Sequence, residues 1–356
     1  ENDNNDKIAI EVGEIKFPPQ DVLQLKSYYL SSSVHVDSID YLIGYNYRLH
    51  SLDCMNLKSK SVTQIVLPGD GPDAIVRLSG IYAQSLDSVW ISDESERAFL
   101  IDSVGTIKRM IDLKKYLEDQ EQLLINTNYA MFTSHLFYNA SRHSLMFLVK
   151  HTPSNTFIVK EAFIDEVGKM ATYQLSSSKV VPDMSKGYAY INFPNVNFVG
   201  ENIVYNYPVE SSIYMLDIRT NERKYILADS HYTSNIIEKC TTSGDYATLE
   251  KHWLENSHFY DIMYLPKYKI YARLHADKVD FDEKKGMEKL INERDLYLML
   301  FDENMEKIGE TKLSNCRYSP FTSWNATYGG IALFVDNVLD EKNNTDDLTI
   351  DIISLK

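Results

Sequence analysis

The stretch from Ser79 to Asp112, SGIYAQSLDSVWISDESERAFLIDSVGTIKRMID, constrains the fold more than any other part of the chain. It divides into four short extended segments, each followed by a turn. Residues 80–84 are small and apolar, 87–92 alternate around Val89 and Ile91, 97–102 centre on Phe99 and Ile101, and 106–111 hold Ile107 and Ile111. β-Branched and aromatic residues suit a pleated surface, and the Asp, Ser and Gly between them supply turns. The stretch therefore predicts a four-stranded antiparallel meander.

The same layout recurs along the chain. Second strands are anchored at Ile39, Val89, Leu145, Ile203, Ile270 and Ile331, 50 to 67 residues apart, a period that suits propeller blades carrying insertions. Hairpins from third to fourth strand stand out at Phe99 (FLIDSVGTIKRMI), Ile213 (IYMLDIRTNERKYIL) and Leu296 (LYLMLFDENMEKIGETKL). Each ends its third strand with an Asp, whose side chain can bond the amides of the following turn. Six such units predict an all-β protein, a six-bladed β-propeller.

Closure of the ring gives an independent check, because an unjoined ring leaves sheet edges exposed. The final run LTIDIISLK reads as a third strand with no fourth after it. Near the N-terminus, KIAIEVGEIKF alternates Ile8, Ile10, Val12 and Ile15 with polar residues and supplies the missing strand. On this reading residues 8–356 form a single propeller domain. Residues 1–7 are a polar tail that reads as the remainder after removal of a leader.

Three stretches carry a helical apolar stripe and are expected to be short surface helices: 113–124, 245–255 and 282–292. In a propeller the links between blades and the links from strand two to strand three emerge on one face of the disc. The long segments 68–78, 113–128, 176–194, 229–256, 276–293 and 336–346 all fall in those two classes, so one face is expected to be decorated. Loops on a rigid scaffold are where binding residues concentrate. The ligand-binding residues expected at the channel mouth on that face are Arg77, Asn128, Tyr190, Asn195, His258, Arg317 and Trp324.

Acidic residues outnumber basic ones by 51 to 36, for a formal charge of −15, and no compact Lys/Arg stripe offsets that field. Nucleic acid is thereby disfavoured as a partner. No apolar run approaches a membrane span, so a membrane is expected only through a lipid anchor on the full-length form. Cys54, Cys240 and Cys316 show no paired spacing, although a Cys240–Cys316 bridge stays open.

Chemical signatures are weak. His231, His252 and His258 fall within one long link but match no metal template, and the acidic run from Asp336 lacks the ligand spacing of a calcium loop. Asp70 and Asp73 in the loop PGDGPD are explained by turn chemistry. No nucleophile elbow, zinc-protease helix or phosphate loop occurs, so no metal and no cofactor is expected and the catalytic residues are unknown. Glycosylation patterns at Asn139, Asn325 and Asn343 are frequent by chance in such a composition. The 25 tyrosines, with pairs at Tyr28 and Tyr29, Tyr188 and Tyr190, and Tyr205 and Tyr207, suit either sheet packing or a stacking platform.

The segment IYAQSLDSVWISDESERAFLIDSVGTI resembles an NHL-type propeller repeat, clearly in this blade and in degenerate form elsewhere. Over its whole length the chain resembles a family of exported six-bladed propellers from Bacteroidetes, known only as a domain of unknown function. That resemblance implies lipoprotein export, to the periplasm or the cell surface, and carries over no functional residues. The expected role is a non-catalytic binding or scaffold module that engages a glycan, peptide or protein through the decorated face. The alternative is a glycan-active hydrolase or lyase with its site at the channel mouth.

Overall fold

The computed structural model describes residues 9–356 apart from 20–22, 24, 129–130, 167, 181–187, 189–191, 241–244, 321–322 and 343–345, and apart from the side chains of 126–128. Six antiparallel sheets follow one another around a ring. Blade 1 comprises Ser31–Val36, Ile39–Asn46, Ser51–Asn56 and Val62–Val66. Blade 2 comprises Leu78–Ser85, Ser88–Asp93, Arg97–Ile101 and Ile107–Asp112, within two residues of the segments predicted. In blade 3, Phe137–Asn139 is followed by Ser144–His151, Thr156–Phe163 and Met170–Gln174, and Glu121–Leu123 pairs beside Ser144–His151.

Blade 4 holds Asn195–Val199, Asn202–Asn206, Ile213–Asp217 and Arg223–Ile226. A hairpin of Asn126–Asn128 and Phe132–Ser134 adds to its inner edge through one parallel bridge, Ser134 to Val196. Blade 5 holds His258–Leu265, Ile270–Ala276, Leu296–Phe301 and Lys307–Lys312. Blade 6 is built from both ends of the chain: Trp324–Ala326, Ile331–Phe334 and Leu348–Leu355, completed by Ile10–Phe17. The outer pairing runs in register from Ile10 opposite Leu355 to Phe17 opposite Leu348. All six residues expected to anchor second strands lie in second strands.

The core explains why the strands read as near-continuous apolar runs. A blade buries both faces, one against each neighbour, so successive side chains of a strand enter different clusters. Val89 and Ile91 pack toward blade 1, whereas Trp90 between them packs toward blade 3. Leu145, Phe147 and Val149 likewise face blade 2, and Met146 and Leu148 face blade 4. The apolar core accordingly resolves into six clusters, one at each interface between adjacent blades.

The turn chemistry is realised as the sequence predicts. Asp102 accepts from the amides of Val104 and Thr106, Asp217 from those of Arg219 and Thr220, and Asp302 from those of Asn304 and Glu306. Helices form at Tyr246–Leu254 and Met287–Asn292, and their Trp253, Leu254, Leu290 and Ile291 join the cluster between blades 3 and 4. The expected helix over 113–124 is a correction. Only Leu113–Tyr116 makes a single 3-10 turn, capped by the Asp112 carboxylate on the Lys114 amide. Gln120 then adopts a φ of 70°, which no helix accommodates, and Glu121–Leu123 is captured by pairing with Val149, Lys150 and His151. Tertiary pairing overrides a local helical stripe here.

Strand direction alternates within a blade, so successive connections alternate between the two faces. The long connections 67–77, 175–194, 227–257, 277–295 and 335–347 share one face. Among the described residues the opposite face carries short turns, such as 37–38, 86–87 and 200–201.

Candidate functional site in the central channel

The innermost strands line an axial channel, and its end toward the decorated face is filled. Asn195 accepts from the Thr133 amide at 2.7 Å and donates to the Phe259 carbonyl at 2.8 Å, tying the added hairpin to blades 4 and 5. The indole of Trp253 donates to Nδ1 of buried His258 at 3.3 Å, and the Arg294 guanidinium covers the Trp253 ring while donating to three carbonyls, those of Trp253, Asn256 and Asp277. Thr133, Ser134, Asn195, Ser257, His258, Tyr260 and Ser323 are all buried at this end.

The open part of the channel faces the other way. A cavity of about 340 Å³ is bounded by residues of all six innermost strands, among them Ser32, Tyr82, Phe137, Asn197, Asp261 and Trp324, and by His135 before Phe137–Asn139, and it reaches Gly200 and Pro266 in the short turns. The mouth therefore lies on the plain face, which corrects the expectation drawn from loop length. Thr133, Trp253 and Arg294 of the links 113–136, 227–257 and 277–295 pack at the filled end, and the short turns opposite leave the channel accessible.

At the floor of this cavity His135 Nε2 lies 2.9 Å from Asp261 Oδ2, and the Trp324 indole donates to Asp261 Oδ1 at 3.2 Å. Asp261 is 2% exposed and His135 23%. A carboxylate only accepts, so Nε2 carries a proton, and in the neutral ring Nδ1 is the acceptor. Nδ1 has no partner among the described residues and is not enclosed, so it is presented to the cavity. Aromatic rings form part of the wall: Tyr82 meets Phe137 edge-on at 5.1 Å, and Phe137 stacks on Phe198 at 5.0 Å. Burial raises the Tyr82 phenol above its ordinary value and keeps it a neutral hydroxyl.

Most other polar groups of the lining serve the ring itself. An innermost strand is a sheet edge, and its unpaired backbone groups must be satisfied. Asn197 donates to the Ile262 carbonyl of blade 5, Ser33 of blade 1 to the Ala326 carbonyl of blade 6, and the Ala83 amide of blade 2 donates to Ser32 of blade 1. Side chains of blade 4 and blade 1 thus cover part of the edges of blades 5, 6 and 2. Among the lining side chains, His135 Nδ1, Asn325 Oδ1 and the Tyr82 hydroxyl have no partner among the described residues and are not enclosed, and the Ser32 hydroxyl, which accepts from Ala83, has its hydrogen unengaged.

Of the seven residues expected at the channel mouth, the structure brings Trp324 alone into the cavity. Asn195 and His258 are buried on the filled side and hold that packing. Arg77 is 64% exposed on the decorated face, beside Glu94 and over the Tyr29 ring. Arg317 sits between Glu14, Asp340 and Asp351 at the blade 6 closure. The Asn128 side chain and Tyr190 lie outside the described residues. His135, Ser32, Tyr82 and Asp261 were not legible as a group, because His135 and Asp261 are 126 positions apart and neither stands in a motif.

The other chemical candidates stay apart. No group of three or more His, Cys, Asp or Glu converges as a metal site among the described residues. No disulfide joins Cys54, Cys240 or Cys316 to one another, and burial with the neighbouring Asp53 pushes Cys54 up to about 12. Asp70 and Asp73 are exposed in their loop, and Asn139 is buried.

The profile of the family described as a domain of unknown function, DUF4221, matches residues 2–312. A crystal structure of a member of that family from Bacteroides vulgatus ATCC 8482 superposes with a TM-score of 0.77 at 14% identity, covering 99% of each chain. A second structure, of a Bacteroides fragilis NCTC 9343 protein whose name supposes export, superposes with a TM-score of 0.60 at 13% identity, covering 98% of this chain and 95% of the other. No curated protein matches the sequence. The chain belongs to the DUF4221 family.

Proposed function

For this DUF4221 propeller we propose a non-catalytic binding module of the cell envelope that takes its ligand, the exposed part of a glycan, peptide or protein, in the central cavity of the plain face. The carrying observation is the cavity to which all six innermost strands contribute, with a preset histidine acceptor and unengaged hydroxyl and amide groups at its wall. Concave, partly aromatic sites with a few placed polar groups are what small-ligand binding requires, at roughly 300–1,000 Å³. The filled opposite end makes the cavity a pocket and not a passage. Export, with a lipid anchor on the full-length form, belongs to the same proposal. Export is supported by the name of the Bacteroides fragilis relative.

A glycan hydrolase or lyase has the His135–Asp261 dyad in its favour. Glycoside hydrolysis usually needs two carboxylates flanking the bond, and Asp261 is the one carboxylate among the described lining residues. The binding reading is tested by a thermal-shift screen of glycan fragments and blocked peptides on the purified chain, repeated with Tyr82→Ala and Arg77→Ala. Hits should vanish in the first variant and persist in the second. Hits that vanish only with Arg77→Ala return the site to the decorated face, and turnover of any hit replaces binding with catalysis.

A further inference from the structure

Resting on the reading of the cavity as a binding site, we infer that its ligand is an uncharged polyhydroxy ring, a neutral sugar of one or two residues, whose hydroxyl donates to His135 Nδ1. The charge of the wall argues for neutrality. Among the described lining residues there is no lysine, arginine or glutamate, and both oxygens of Asp261 are engaged by His135 and Trp324. An anion would find no cation to pair with and a buried carboxylate at the floor. A cation would find a carboxylate that is 2% exposed and already satisfied. Burying an unpaired charge is costly in either case.

The arrangement of the polar atoms argues for hydroxyls. His135 Nδ1 and Asn325 Oδ1 accept, Ser32 donates, and Tyr82 does either, so the unengaged set is mixed and sits on different blades. A ring bearing several hydroxyls, each donor and acceptor at once, can answer such a set from several sides. The partly buried aromatic residues Tyr82, Phe137 and Tyr264 line the cavity and offer apolar contact to the C–H side of a sugar. An extended peptide is a poorer match. Strand addition needs a free backbone edge, and here Asn197, Ser33 and Ser32 already cover the neighbouring edges at Ile262, Ala326 and Ala83.

Isothermal titration calorimetry on the full chain separates these cases. The panel comprises glucose, galactose, mannose, xylose, N-acetylglucosamine and their disaccharides, with glucuronate and glucose 6-phosphate as charged counterparts and adenosine and an acetylated, amidated tripeptide as neutral non-sugars. At least one neutral sugar should bind saturably, and a charged sugar of the same ring at least ten-fold more weakly. His135→Gln should lower that affinity at least ten-fold. Tyr82→Phe, a milder change that tests the site even if the first variant misfolds, should lower it three- to ten-fold with an unchanged melting temperature. Equal binding of the charged counterpart, or affinities that neither variant moves, would overturn the inference. If adenosine or the tripeptide binds and no sugar does, the sugar inference fails while the cavity remains a binding site. If thermal-shift hits and titration alike ignore both cavity variants, the cavity reading itself fails.

Discussion

Arg317 grips Asp351 with two parallel bonds, Nε to Oδ2 at 2.5 Å and Nη2 to Oδ1 at 2.9 Å. The same guanidinium reaches Glu14 on the N-terminal strand at 2.8 Å, so one side chain fastens both strands that close blade 6. Asp351 is buried and also accepts from the Tyr318 hydroxyl.

Removing the guanidinium leaves that carboxylate enclosed without its counter-charge; a fully buried pair loses roughly 3–5 kcal/mol, and with Arg317 20% exposed the loss is smaller. Arg317→Ala should therefore lower the urea midpoint markedly, and Arg317→Lys should recover only part, since an ammonium cannot make the paired fork. A midpoint for Arg317→Ala equal to that of the parent would show that the clasp does not hold the ring.

Deleting residues 1–18 removes the partner of Leu348–Leu355 along its full length and bares a sheet edge. The shortened chain should unfold less cooperatively and self-associate on size-exclusion chromatography. A synthetic peptide spanning Ile10 to Phe17 should restore the parent's behaviour. A monomeric, fully cooperative deletion variant would contradict this account.

Gly44 permits the inter-blade packing of Tyr28. A Cβ there would lie 2.5 Å from two carbons of the Tyr28 ring, which is buried and anchored through its hydroxyl to Asp53 at 2.6 Å. Overpacking of this kind costs about 1–3 kcal/mol. Gly44→Ala should be destabilising by that amount, and the penalty should shrink in a Tyr28→Ala background. Independent, additive effects in the double-mutant cycle would refute the contact.

Acid should weaken the blade 4 and 5 interface in two stages. Burial holds His275 below its ordinary value of 6.5, so the unfolded chain takes up a proton that the folded chain refuses, and stability is lost as pH falls below that value. Burial alone would raise Glu310. Bonds from His275, Ser230 and the His231 amide outweigh it and hold the carboxyl at about 2, so a second loss follows as pH falls from 4.5 toward 2. Denaturation curves across this range should show both, and Glu310→Gln should flatten the lower one. Stability that rises on acidification would exclude the assignment.

The ring was legible because its evidence is local and repeated. Val89 and Ile91 alternate within one short strand, and Asp102, Asp217 and Asp302 each close a hairpin whose turn they bond. The terminal pairing was legible because Val12 and Ile15 match the pattern of Ile353 and Ile350 opposite them. The helix over 113–124 misled because its apolar stripe serves equally well when Leu113 and Tyr116 dock under blade 2 and Leu123 joins blade 3. The cavity was hidden for a different reason. Loop length foretells which face is bulky, but whether a loop stands over a channel or plugs it depends on where Thr133, Trp253 and Arg294 pack, and their spacing in the chain does not encode that.

The shared blade also sets a timetable for synthesis. Phe17 leaves the ribosome 331 residues ahead of Leu348, its partner. At roughly 5–20 residues per second that is a delay of about 15–70 s during which five blades can assemble and the sixth cannot. A truncation near the 3′ end of the message would leave five blades complete and Ile10–Phe17 without its partner strand.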